Sequence, residues 1–172
     1  TEYAQAMGEL FAPMTRVAAT NPHAAAPTVR TVEELVIPTA RNRMVADPYT
    51  RMLIARDQVN QAAAVLIKSV RAATELGIDP SRWAFLHGQA DLREQTLLAR
   101  PDLSVAPAAS AAVRHALEVA GRRLDDMSHL DIYSCFPIAV FTFCDEFGVA
   151  ADDPRGLTVT GGLPYFGGPG NH

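Results

Sequence analysis

The chain has 172 residues, 48% of them hydrophobic and 20% charged. That is the length of about one domain, with too much apolar content for a disordered segment. Fifteen basic against nineteen acidic residues give a net charge of -4, and without a basic stripe to neutralise phosphates nucleic acid is not the expected partner. No run approaches the ~20 apolar residues of a bilayer-crossing helix, and no basic-then-apolar leader opens the chain, so the expectation is a cytoplasmic protein without a membrane span.

In chain order, Met7, Leu10, Phe11, Met14 and Val17 recur at helical spacing, and Pro13 predicts that this helix is short. Prolines at 22, 27, 38 and 48 deny long regular structure between Thr20 and Pro48, with Asn21-Pro22 and Asp47-Pro48 as turn signals. Residues 52–77 read either way: alanines and glutamines favour helix, whereas Val65-Leu66-Ile67 is a run typical of a buried strand. The reading adopted is a strand over 63–68, then a helix capped by Ser69 and closed at Gly77. Trp83 to His87 reads as a second strand, closed by Gly88. Pro107 opens a helix with the stripe Ala109, Val113, Ala116, Leu117 and Ala120, and Gly121 ends it. Leu130 to Tyr133 predicts a strand, and Ser134, Cys135 and Phe136 a tight corner into a helix begun by Pro137 and apolar on more than one face. Leu157 to Thr160 gives a last strand, followed by a loop with glycines at 161, 162, 167, 168 and 170. Alternating helix and strand in the second half predicts a layered α/β fold with a largely buried sheet. The chain opens inside an apolar periodic pattern and stops in a glycine-rich loop, which predicts that these residues belong to a longer polypeptide.

The chemistry concentrates at the corner. Cys135 sits before a helix N-terminus, where the dipole favours a thiolate, although a buried cysteine is also an ordinary small apolar residue. The Tyr133 hydroxyl can donate a hydrogen bond or act as an acid there, while aromatic strand residues more often serve the core. His87, beside Gly88, is the histidine best placed for a cleft, with a structural hydrogen-bonding role as the simpler reading. The five histidines share no helical zinc spacing, so no metal is expected. Cys135 and Cys144, nine residues apart across a helix, lie too far apart for a disulfide. The glycine loop lacks the Gly-Lys-Ser/Thr ending and the Gly-x-Gly-x-x-Gly pattern of phosphate loops, and no Gly-x-Ser-x-Gly elbow marks a serine hydrolase. Its backbone can still approach a ligand closely, or act only as a tight connector.

Three stretches resemble the thiolase superfamily, in particular its sterol-carrier-protein-like and acetyl-CoA acetyltransferase-like branch: NQAAAVLIKSVRAATELGI from Asn60, AAVRHALEVAGRRLDDMSHLDIYSCF from Ala111, and LTVTGGLPYFGGPGN from Leu157. The resemblance implies the layered α-β-α-β-α thiolase fold, incomplete in this chain. Residues 1–48 would be a remnant of the connecting loop domain, 49–79 the last strand and helix of the first half, and 80–172 part of the second half. Aligning Phe136 with the family's NEAF or HDCF corner puts Tyr133 on the Asn or His that holds a water or donates to the thioester oxygen, Ser134 on the acidic residue and Cys135 on the Cys of HDCF. The family's Gly-His-Pro falls on Gly167, Gly168 and Pro169, so Gly168 replaces the catalytic histidine, with Asn171 or His172 as conceivable substitutes. By resemblance the nucleophilic cysteine lies before residue 1 and the second reactive cysteine beyond residue 172. The implied catalytic residues are Tyr133 and Cys135; the implied substrate-binding residues are Phe136, Gly162, Gly168, Asn171 and His87.

The implied function is part of an acyl-CoA acyltransferase acting on a 3-ketoacyl-CoA of fatty-acid or sterol side-chain metabolism. Coenzyme A or acyl-CoA would be substrate, with no bound cofactor. The remainder of the thiolase chain or another subunit would be partner, and a homodimer is the usual assembly. The alternatives are a carbon-carbon lyase of retro-aldol type using Tyr133 as acid or base, and a non-catalytic acyl-CoA or lipid-binding protein.

Overall fold

The computed structural model describes residues 1–169. Helix α1 (Glu2–Thr20) starts where the Thr1 hydroxyl accepts the Ala4 N–H at 3.2 Å. It runs through Pro13 for 19 residues, so the short helix expected from that proline is corrected. An interior proline costs about 3 kcal/mol, but Met7, Leu10, Phe11, Met14 and Ala18 are all fully buried along one face. Each large apolar side chain so placed contributes roughly 1.5–3 kcal/mol, which outweighs the missing bond.

The proline-rich stretch holds only short elements, as expected. Helix α2 (Val32–Val36) begins with a capping box between Thr31 and Glu34. Strands β1 (Met44–Ala46) and β2 (Tyr49–Thr50) pair antiparallel around the Asp47-Pro48 turn, a hairpin that periodicity gave no sign of. Buried Asn42 binds them to α2: its amide donates to the Leu35 carbonyl at 2.9 Å, and its Oδ1 accepts the Met52 N–H at 2.8 Å.

Helix α3 (Val70–Glu75) is capped by Ser69 as expected. Helix α4 (Pro107–Ala120) ends at Gly121, and helix α5 (Pro137–Phe147) at Gly148. The α4 stripe is half-buried at Val113, Ala116, Leu117 and Ala120 and exposed at Ala109. Gly88 lies so close to α4 that a Cβ there would stand 1.9 Å from the Ala116 carbonyl oxygen. An Arg114–Glu146 ion pair and the Arg114 guanidinium 5.0 Å from the Phe147 ring join α4 to α5. Tyr3 and Phe141 rings at 5.7 Å join α5 to α1. The core gathers around α1, where Leu35, Leu53, Leu130, Val140, Leu157 and Tyr165 meet its buried face.

The four expected strands at 63–68, 83–87, 130–133 and 157–160 form no ladder among the described residues. The apolar runs were real, but a strand needs a partner. Val65 and Ile67 are 87% and 88% exposed. Leu130 to Ser134 keeps the alternation of a strand, with Leu130 and Ser134 buried and Asp131 and Tyr133 exposed, and a bond from the Ile132 N–H to the Leu157 carbonyl (3.0 Å) links it to the last expected strand. Among the described residues, no helix is long and apolar enough to cross a membrane, and no cluster of three metal-ligating side chains forms.

Candidate functional site

The corner before α5 is held by its first residue, Ser134. Phe136 is extended (φ -141°, ψ 151°), and Pro137 then opens the helix. This turns the fully buried Ser134 toward the glycine loop, where its Oγ accepts the Leu163 N–H at 2.9 Å. A Cβ on Gly162 would stand 3.0 Å from that Oγ and 3.0 Å from Met14 Sδ. Residues 55 and 56 run between corner and loop. The Ala55 N–H donates to the Cys135 carbonyl (2.9 Å), the Arg56 N–H to the Leu163 carbonyl (3.1 Å), and the Gly168 N–H to the Arg56 carbonyl (2.8 Å). Corner and glycine loop are thus neighbours on one scaffold.

The loop's shape is set by Thr158, a residue that sequence reasoning did not single out. Its buried hydroxyl donates to Asp131 Oδ1 at 2.9 Å and accepts the N–H groups of Gly161 and Gly162, each at 3.0 Å. Gly161 sits at φ +116°, and a Cβ there would come within 2.5 Å of the Ala18 Cβ, so only glycine lets the loop lie on α1. The N–H groups of Gly161, Gly162, Leu163 and Gly168 are therefore all engaged within the chain. Of the two binding glycines expected, Gly162 and Gly168 offer a close backbone surface rather than free donors.

Tyr133 is 52% exposed. Hydrogen bonding with the Cys135 thiol, followed by partial burial, raises its phenol above the ordinary value of 10. It therefore carries its proton at neutral pH and can donate it to an incoming oxygen. Cys135 is half-buried and free, and Cys144 is free and buried in α5. Burial pushes the Cys144 thiol up to about 11, with Asp145 and Asp153 adding to the effect. The Phe136 ring lies 5.3 Å from that of Tyr49, giving the corner an aromatic flank. His87 is exposed on the segment that Gly88 docks on α4. Asn171 and His172 lie outside the described residues. A hollow of ≈ 400 Å³ around Arg93, Arg100 and Pro107 and a cavity of ≈ 40 Å³ beside Tyr165 do not include Tyr133, Cys135 or Gly168 in their walls.

No family model matches the chain, and no curated protein does. Among solved structures, it superimposes with a TM-score of 0.92 on a monomeric SCP2-thiolase-like protein type 1 from Mycobacterium smegmatis. The two are 56% identical over 99% of this chain. This chain belongs to the SCP2-thiolase-like branch. It spans 37% of the neighbour's length. Within this thiolase-like frame the unpaired apolar segments are parts of a layered fold, and the Ser134–Leu163 bond joins the two motifs, corner and glycine loop, that carried the resemblance.

Proposed function

We propose that this SCP2-thiolase-like chain is part of an acyl-CoA acyltransferase that handles a 3-ketoacyl-CoA, with coenzyme A as co-substrate. The observation that carries the reading is the exposed, protonated Tyr133 hydroxyl on a corner bonded directly to the glycine loop. A donor fixed at this point would stabilise negative charge developing on a thioester oxygen. The neighbouring N–H groups are already engaged, which leaves the phenol as the natural donor. The nucleophile would come from the remainder of the thiolase fold. That remainder would also cover the exposed run Val65–Ile67 and Phe85-Leu86, because bare apolar strands invite pairing.

The test is thiolysis of acetoacetyl-CoA by the intact protein with coenzyme A. Tyr133→Phe should lower kcat by about 10²–10³, as loss of one oxyanion donor does elsewhere. Full activity in that variant would remove Tyr133 from the mechanism. Gly168, in the place of the family's histidine and with its N–H held by Arg56, favours a second reading: an acyl-CoA-binding protein without turnover. Saturable binding of acetoacetyl-CoA with no product would decide for it.

A further inference from the structure

The ≈ 40 Å³ cavity has no corner residue in its walls, and its chemistry is of another kind. Its walls are the segment after α1 (Ala26 to Arg30), the stretch after β2 (Met52 and Arg56), and Pro164-Tyr165 of the glycine loop. Those walls are fixed to each other. The Ala26 N–H donates to the Tyr165 carbonyl at 2.8 Å, and the Arg56 N–H to the Leu163 carbonyl at 3.1 Å. Tyr165 is only 4% exposed, yet its hydroxyl has no hydrogen-bond partner, and Arg56 Nε is likewise buried and unpartnered. A buried polar group left this way costs about 1–3 kcal/mol.

The charge is also uncompensated. Arg30 commits Nη1 to Glu34 at 3.0 Å, while Arg56 has no carboxylate within ion-pairing distance among the described residues. Burial, and then the nearby Arg51, both disfavour the Arg56 cation. Guanidinium nitrogens donate and never accept, so a site with two of them and a phenol selects a ligand made of acceptors. The volume exceeds the roughly 10–15 Å³ that one water requires but has no room for a nucleoside. We propose that this cavity is a site for one phosphate-type oxyanion, gripped by Arg56 and Arg30 with Tyr165 Oη donating a further hydrogen bond. Arginine suits that ligand because its planar fork can meet two oxygens at once. The proposal does not depend on the thioester reading: the cavity borders the same Arg56 stretch and glycine loop, but neither Tyr133 nor Cys135 lines it.

Isothermal titration of the intact protein with inorganic phosphate tests it. Saturable binding is expected, and Arg56→Gln should weaken it about 10- to 100-fold, as loss of a charge-assisted bond would. Tyr165→Phe should weaken phosphate binding while leaving the melting temperature without phosphate unchanged or higher. A purely structural hydroxyl would give the opposite pattern. Should Arg56→Gln not fold, Tyr165→Phe carries the test. If coenzyme A competes with phosphate, the oxyanion is a phosphoryl group of that larger ligand; if both bind together, it is the free ion, and in either case the site stands. No phosphate binding by the unaltered protein, or binding indifferent to both substitutions, overturns the proposal.

Discussion

Replacing Thr158 by valine removes one hydroxyl and nearly preserves the side chain's outline, which makes it a clean probe of the glycine loop. The N–H groups of Gly161 and Gly162, both buried, lose the acceptor that each reaches at 3.0 Å. An orphaned buried donor costs about 1–3 kcal/mol, so two give roughly 2–6 kcal/mol, and partial relaxation of the loop reduces this to about 2–4. Asp131 also loses a donor, but it is exposed and water replaces it at little cost. For a protein of this size each kcal/mol moves the melting temperature by about 2–4 °C, so thermal unfolding followed by circular dichroism should show a fall of roughly 5–15 °C. Amide exchange at Gly161 and Gly162 should accelerate in the same variant. Thr158→Ser keeps the hydroxyl and should recover most of the loss. A valine variant melting within about 2 °C of the parent would show that the hydroxyl does not organise the loop.

Three further outcomes follow from the same geometry. Gly161→Ala combines a φ of +116° with a Cβ 2.5 Å from that of Ala18, and should lower stability by about 2–4 kcal/mol; an unchanged denaturation midpoint would contradict the close approach. Arg155 holds the Asp153 carboxyl down at about 2, below its unfolded value of about 3.9. The stabilisation is therefore present above about pH 4 and lost as pH falls toward 2, and Asp153→Asn should flatten that part of the melting-temperature profile. With a thiol reagent at mildly alkaline pH, half-buried Cys135 should label before Cys144, whose thiol is buried and pushed up to about 11; peptide mapping that finds equal rates would refute the difference in environment.

What could be read from the residues alone divides along a physical line. The corner and the helix starts were legible because their signals are local: Pro107 and Pro137 open helices, and Gly121 closes the first of them. The family of the chain was legible for a related reason: the three stretches keep their order, and the corner keeps Cys135 and Phe136 although Tyr133, Ser134 and Gly168 depart from the family's residues. The strands were not, because Val65-Leu66-Ile67 declares an affinity for a sheet while the partner that would satisfy it is not encoded in the run itself. Pro13 misled because the penalty is local, whereas the burial that overrides it comes from residues far along the chain. Thr158, Arg56 and Tyr165 carry no periodic mark. Their roles arise only when Asp131, Gly161 and Arg30 are brought to them.

The closing contacts join residues far apart in sequence. The Asn21 side chain donates to the Thr160 carbonyl across 139 positions, and Ala25 and Ala26 bond to Phe166 and Tyr165. During synthesis, α1 can coil soon after it leaves the ribosome and settle first against α2 and Leu53, but Phe11 and Met14 complete their packing only when Tyr165 and Gly162 emerge. Such long loops make folding slow. Through that interval the nascent chain presents Phe11 and Met14 to its surroundings, which gives chaperones a reason to hold it until the segment around Tyr165 arrives.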